Sequence, residues 1–292
     1  MAEPIFNSDL LDDLAREKVV LFLGAGVSAS AITATGNRIA GWPAFLERMC
    51  KLTQDPIKTQ VAALIRQGDF LLACEILQSA LADSWEKHLT AEFGQKAQPS
   101  ELHAAIIALQ QRLVLTTNFD KLLEVSWESD PSETHYPTVI SSINDSVFKV
   151  LKDHSRKYIV KIHGTIDDIQ TVVFSRSEYI KLAFGNVSYS SFIENLLLNY
   201  TFLFIGFSMD DPAIISLMEM YALRYKQARP HYIVTGRSVE DNIVDIFKRL
   251  RKLNFIKYND EGNHRNLPPL VRSLAQQASD RRREIYATTV QG

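Results

Sequence analysis

The sequence predicts an α/β fold, a Rossmann-like, doubly wound parallel sheet with a helical insertion. Two observations carry that prediction. First, a short apolar run, Val19–Leu23, ends directly in Gly24-Ala25-Gly26. It shows no polar alternation, as expected of a parallel strand buried on both faces. Second, strand-like bursts return at 113–115, 158–162, 171–174, 202–205, 232–234 and 255–257, and helical patterns separate most of them. Strands alternating with helices place the crossovers on both faces of one sheet.

Taken in order, the first strand is followed by Ser28, placed to begin or cap a helix. From 42 to about 113 the pattern changes. Apolar residues recur three and four apart: Phe45, Met49 and Leu52, then Val61, Leu64 and Ile65, then Phe70, Ala73 and Leu77. This predicts a helical subdomain inserted into, or decorating, the α/β core. Helices are predicted over 191–199 and over 211–225, the second with Pro212 in its first turn, where the missing N–H costs nothing. Ser238-Val239-Glu240-Asp241 has the form of a capping box opening a helix to about 253. A last helix over 269–284 aligns Leu270, Leu274 and Ala278, giving a helical C-terminal end at about 267–285. No internal repeat or low-complexity linker divides the chain, so 1–292 is read as a single domain.

Composition narrows the function classes. Net charge is −2, from 32 basic and 34 acidic residues, which gives no electrostatic reason to expect direct nucleic-acid binding. The acidic start, MAEPIFNSDLLDDL, lacks the basic and apolar regions of a signal peptide. No run of about 20 apolar residues is present to span a membrane. A cytoplasmic location is the expectation. Cys50 and Cys74 sit among apolar residues at helical spacing and read as small buried hydrophobes. Two cysteines cannot form a four-thiolate zinc site, so no metal is expected.

The candidate chemistry lies at four strand ends. Gly24-Ala25-Gly26-Val27-Ser28-Ala29 fits a glycine-rich turn after a strand, in which backbone N–H groups meet a pyrophosphate; a strand-to-helix turn needing glycine would read the same. Glu47 has the spacing of a ribose-binding acid but lies in a helical stretch, and is not assigned that role. The second strand end runs into Thr116-Thr117-Asn118-Phe119-Asp120. In a parallel sheet the carboxyl ends face the ligand crevice, so Thr117, Asn118 and Asp120 stand at its mouth, or else Asn118 or Asp120 caps the next helix. The third ends in His163-Gly164, a histidine able to serve as general base or a structural one. The fourth, Gly206-Phe207-Ser208-Met209-Asp210-Asp211-Pro212, suits a ribose or phosphate contact, or a loop and cap.

These segments, in order and approximate spacing, resemble the sirtuin superfamily of NAD-consuming proteins over roughly 19–236. Gly24-Ala25-Gly26-Val27-Ser28 resembles its G-A-G-x-S turn, and Asn118-Phe119-Asp120 its Q-N-hydrophobe-D segment with Thr117 replacing glutamine. Ile162-His163-Gly164 resembles its L-H-G segment, and Gly206-Phe207-Ser208 its G-x-S segment. The resemblance implies that Gly24, Ala25, Gly26 and Ser28 line the pyrophosphate site, with Gly206 beside it. It implies that Asn118 holds the nicotinamide ribose or the attacking water, and that Asp120 sits near the nicotinamide amide. His163 is then the base, and Ser208 contacts the phosphate–ribose portion.

Two departures shift the expected reaction. The four-cysteine zinc module of protein-deacylating sirtuins is absent, and their G-x-P-D-F-R loop reads Gly41-Trp42-Pro43-Ala44-Phe45-Leu46. That form, with Ser175 to Tyr179 and Phe207 to Pro212, is similar to a bacterial sirtuin-like branch that destroys NAD in antiphage defence. The implied activity is NAD glycohydrolysis to nicotinamide and ADP-ribose. The alternatives are an NAD- or ADP-ribose-binding subunit without turnover and an NAD-dependent deacylase. An unrestrained NAD hydrolase would kill its host, so control in trans is expected. Self-assembly into a homo-oligomer is one route, and a HerA-type hexameric ATPase or an Argonaute-related protein is the partner the resemblance suggests. Arg281-Arg282-Arg283 near the carboxyl end is read as a partner contact or a solvated helix end suited to the dipole.

Overall fold

A computed structural model describes residues 4–33, 36, 38–39, 41–95, 97–130 and 136–290. Its strands are β1 (Val19–Leu23), β2 (Ile32–Thr33), β3 (Ala97–Gln98), β4 (Leu113–Thr116), β5 (Thr138–Ile140), β6 (Tyr158–Lys161), β7 (Thr201–Ile205), β8 (His231–Gly236) and β9 (Leu253–Tyr258). Seven of them form one sheet in the order β5-β6-β4-β1-β7-β8-β9, with every pairing parallel. The predicted bursts at 19–23, 113–115, 158–162 and 202–205 are the four central strands β1, β4, β6 and β7, and those at 232–234 and 255–257 are β8 and the edge strand β9. All five residues of β1 and β7, and all four of β4 and β6, are buried, which is why their sequences show no alternation.

The helices are α1 (Ser8–Ala15), α2 (Ala25–Ser28), α3 (Trp42–Cys50), α4 (Ile57–Gln67), α5 (Phe70–Leu81), α6 (Trp85–Phe93), α7 (Glu101–Ile107), α8 (Leu122–Glu128), α9 (Lys149–Lys152), α10 (Arg176–Ala183), α11 (Val187–Asn199), α12 (Pro212–Arg224), α13 (Asp241–Arg251) and α14 (Leu267–Val290). Side chains alternate across the sheet and supply two cores. Phe22, Leu115, Val160, Ile162 and Phe204 pack against α11 and α12. Leu21, Leu23, Val114, Ile159 and Ile205 pack against α1, α7, α8 and α14. The fold is therefore doubly wound, as the sequence predicts.

A third core belongs to α3–α6 and is joined by Phe119, Leu122, Val172 and Phe174. The helical prediction for 42–113 is met by α3–α7. Within it, however, β3 pairs antiparallel with β2, a short ribbon that apolar spacing did not reveal. The predicted strand at 171–174 is not one. A 3-10 turn over Ile169–Thr171 leads into extended chain, and Phe174 inserts among Trp42, Phe45, Trp85, Phe93 and Phe119. Its apolar character serves that aromatic cluster rather than a ladder. Ser238 opens no helix. Its hydroxyl donates to Asp260 at 2.8 Å, and α13 begins at Asp241 with Glu240 as a cap that makes no side-chain hydrogen bond. The last helix runs to Val290, beyond the predicted end, and Arg281 and Arg282 tie it to α1 through Asp12 and the Ala15 carbonyl. Among the described residues no helix is long and apolar enough to cross a membrane.

Candidate active site

The central strands deliver the candidate residues to one rim. In the registers, Leu23 of β1 lies opposite Thr116 of β4 and Ile205 of β7, and Thr116 lies opposite Lys161 of β6. Gly24 and Gly206 each follow their paired residue by one position. Asn118 and His163 each follow theirs by two. Adjacent strands lie roughly 4.8 Å apart, so Asn118 and His163 leave neighbouring strands at the same level of the rim.

Direct contacts then lock the strand ends together. Asn118 Nδ2 donates to the Gly24 carbonyl at 2.9 Å, while its own N–H donates to Thr116 Oγ1 at 3.0 Å. Thr117 continues the ladder by donating its N–H to the Leu23 carbonyl at 3.3 Å. The Gly26 N–H donates to the Gly206 carbonyl at 2.9 Å. Gly206 has φ +61°, and a Cβ there would stand 2.6 Å from the Val27 nitrogen. The glycines of this turn are thus explained by the close approach of two backbones, the reading a purely structural turn requires. Ala25 and Gly26 remain exposed at the rim.

Ser28 neither begins nor caps a following helix, contrary to the sequence expectation. It ends the four-residue α2, and its hydroxyl makes a short hydrogen bond to Asp120 Oδ2. The other carboxyl oxygen of Asp120 accepts the Leu122 N–H at 2.9 Å at the start of α8. Asp120 therefore meets its reading as an acceptor at the start of α8, and it also joins the end of β1 to the end of β4. Ser208 is exposed on the loop between β7 and α12. Hydrogen bonds and backbone packing join Gly24, Gly26, Ser28, Asn118, Asp120 and Gly206 into one cluster; His163 stands with a different set.

His163 is buried, with its Nε2 3.5 Å from Asp211 Oδ2. That separation is long for a hydrogen bond and short enough for an ion pair once the ring is charged. Burial pushes the His163 pKa below its ordinary value, and the Asp211 carboxylate pulls it back up. Gly164 follows in the left-handed region, φ +86°, where a Cβ would meet the Thr171 carbonyl oxygen at 2.0 Å. This bend turns the chain away immediately after the histidine. Tyr179 on α10 donates its hydroxyl to Asp211 Oδ1 at 2.6 Å. Burial pushes that hydroxyl far above its ordinary pKa, so it stays protonated.

Sequence reasoning misses Asp211, Tyr179 and Lys161. Asp211 is visible in the sequence as a cap before Pro212, which it is: Oδ1 accepts the Ala213 and Ile214 N–H groups, both at 3.0 Å. Nothing local shows that its second oxygen faces His163. Lys161 has a signal, a charge inside an apolar strand. Its ammonium pairs with Glu124 at 2.5 Å and donates to the Asp120 carbonyl, bracing the Asn118–Asp120 loop from beneath. His103 on α7 is also buried near Asp120, whose charge opposes the lowering of its pKa by burial to about 4.

Among the described residues no group of three or more histidine, cysteine or acidic side chains is arranged to hold a metal. Cavities of about 600 and 460 Å³ lie at the opposite, amino-terminal ends of the strands, beside Arg16, Lys18 and Tyr200. The rim at the carboxyl ends is favoured as the candidate site because His163, Asn118 and the exposed glycine turn all lie at that end of the sheet.

Known proteins share this arrangement of sequence. A family model described as SIR2-like domain matches residues 112–257. The NAD(+) hydrolase ThsA of Enterococcus faecium is 28% identical over 243 residues, covering 80% of this chain and 46% of its own length. The NAD(+) hydrolase ThsA of Cytobacillus dafuensis is 27% identical over 230 residues, covering 78% of this chain and 43% of its own. Defense-associated sirtuin 2 of Bacillus subtilis is 23% identical over 246 residues, covering 82% and 23%. The chain spans less than half of the length of these relatives.

Proposed function

The chain belongs to the SIR2-like domain family, and from that premise we propose that it hydrolyses NAD to nicotinamide and ADP-ribose. The observation that carries this reading is the placement of Asn118 and His163 at one level on adjacent strand ends, beside the exposed Ala25-Gly26 turn. The relatives named as NAD(+) hydrolases support it, and the one named as a defence-associated sirtuin supports a role as an NAD-depleting effector in bacterial antiphage defence.

In this reading Asn118 orients the nicotinamide ribose and a water. The pyridinium leaves as neutral nicotinamide, taking the electron pair of the C–N bond. The water adds to the oxocarbenium-like ribose, and His163 accepts its proton. Gly24, Ala25, Gly26, Ser28, Thr117, Asp120, Gly206 and Ser208 form the surrounding NAD-binding set. Because the Gly26 N–H already donates to Gly206, a pyrophosphate bound there takes that donor in exchange. No metal is needed by this scheme. Control by self-assembly, or by a partner such as a HerA-type ATPase or an Argonaute-related protein, and a cytoplasmic setting belong to the same reading.

The test is nicotinamide release from NAD, followed by chromatography, with any activating partner present. Asn118→Ala and His163→Ala are each expected to lower turnover by about 100-fold or more. Equal turnover by all three proteins would overturn the assignment. Binding of NAD by the wild type without release would instead indicate a sensing subunit.

A further inference from the structure

We infer that Asp211 is the positioning residue for His163, holding the ring through Nε2 so that Nδ1 is the nitrogen that takes the proton. The inference rests on the hydrolase reading above and adds to it the orientation of its base. Three observations point to it. Asp211 Oδ1 is fully committed, accepting from the Ala213 N–H, the Ile214 N–H and the Tyr179 hydroxyl. Its remaining oxygen, Oδ2, stands 3.5 Å from His163 Nε2, an atom that is buried without a hydrogen-bond partner among the described residues. Both side chains are buried, at 11% and 7% exposure, and among the described residues no lysine or arginine pairs with this carboxylate. A buried carboxylate with no permanent counter-ion favours the charged form of a histidine beside it.

The proton balance is simple. In the neutral ring the hydrogen resides on Nε2, toward Asp211. As the water adds to the ribose, its O–H bond breaks and an N–H bond forms at Nδ1. The resulting imidazolium carries its charge against Asp211, the arrangement in which a carboxylate fixes tautomer and orientation without itself taking a proton. Burial opposes the charged ring, and the carboxylate offsets that opposition.

The surroundings hold this pair in place. Tyr179 reaches Asp211 from α10, and its ring meets the His163 ring edge-on at 6.0 Å. Tyr189, buried on α11, lies close enough to feel the Asp211 charge, and burial keeps its hydroxyl protonated as well. Asp211, Tyr179 and Tyr189 are thus the titratable groups gathered around the ring, and burial keeps both hydroxyls protonated. The helix bearing Tyr179 is in turn fastened to α5, where Glu75 accepts both the Ser177 N–H at 2.9 Å and the Ser177 hydroxyl at 3.1 Å.

Asp211→Asn separates the roles, because an asparagine oxygen still caps α12 while the charge is removed. The experiment measures kcat and KM for NAD, together with the His163 imidazole titration by NMR, assigned against His163→Gln. Asp211→Asn is expected to lower kcat by about 100-fold or more, to leave KM within about threefold, and to move the His163 midpoint to lower pH. Tyr179→Phe retains the carboxylate and the cap. It is expected to lower kcat less, and it carries the test should Asp211→Asn fail to fold. An unmoved His163 midpoint, or an unchanged kcat with a moved one, would overturn the inference. A moved midpoint in a chain that releases no nicotinamide would leave the pairing standing and remove the hydrolase reading.

Discussion

Lys161 shows how one residue beneath a site is both visible and opaque in a sequence. The strand around it is legible because its neighbours are uniformly apolar. The role of the lysine inside that run is not, since a charge in a strand can point past the sheet edge or lie buried against a partner distant in sequence. Here its side chain is 1% exposed and pairs with Glu124, whose second oxygen has no hydrogen-bond partner among the described residues. Removing one member of a buried pair leaves the other charged and uncompensated, at a cost of about 3–5 kcal/mol. Lys161→Met is therefore expected to lose about that much in urea unfolding, and Glu124→Leu in the same chain to restore part of it. A loss below about 1 kcal/mol, the scale of an exposed pair, would show that water reaches this lysine in solution. Asn118 and His163 stand at the opposite limit. Their types and positions at strand ends are readable in the sequence, but their common level on the rim comes only from the Thr116–Lys161 register.

At the scale of elements, the sequence is most legible where burial is two-sided, although the partly buried edge strand β9 is also readable, at 255–257. The central strands β1, β4, β6 and β7 stand out because both faces are covered. The edge strand β5, with residues only partly buried, carries no such signal, and neither do the two-residue β2 and β3. Segment 171–174 looks like a strand because Val172 and Phe174 are buried, yet they are buried in the aromatic cluster of the helical insertion. The chain then enters α10, started by a capping box in which Ser175 and Glu178 satisfy each other. Glu178 Oε2 accepts the Phe174 and Ser175 N–H groups, both at 2.9 Å, and its Oε1 accepts Gln78 of α5 at 3.1 Å. Glu178→Ala removes all three hydrogen bonds. It is expected to weaken the start of α10 by about 1–2 kcal/mol, which speeds amide exchange over 175–183 by roughly tenfold. Strands β4 and β6 are expected to keep their protection. Equal acceleration in those strands would mean that α10 and the sheet open as one unit.

Across the whole molecule, buried histidines make stability depend on pH, and they lie at both ends of the sheet's strands. His103 Nδ1 accepts the Ser100 N–H, and His231 Nδ1 accepts the Phe202 N–H, both at 3.1 Å. Each ring must then carry its hydrogen on Nε2, and in both cases that atom is buried without a hydrogen-bond partner among the described residues. Burial lowers His103 to about 4 against the opposing pull of Asp120. Burial lowers His231 to about 3, with Lys252 pushing the same way. His163 is shifted in the same direction. In the unfolded chain a histidine takes a proton near pH 6.5. The folded values lie lower, so the unfolded state binds more protons as pH falls, and stability is full above about 6.5 and declines toward 4 and 3. At pH 5 the His103 and His231 rings each cost about 2 kcal/mol relative to neutral pH. The urea midpoint is expected to fall between pH 7.5 and pH 5. His231→Gln is expected to remove about 2 kcal/mol of that difference, whatever the substitution does to stability at pH 7.5, since glutamine has no proton to gain. Because His103 lies near Asp120 and His231 at the amino-terminal end of β8, His103→Gln and His231→Gln are expected to flatten the profile additively. A profile unaltered by either would place the acid sensitivity in the carboxylates instead.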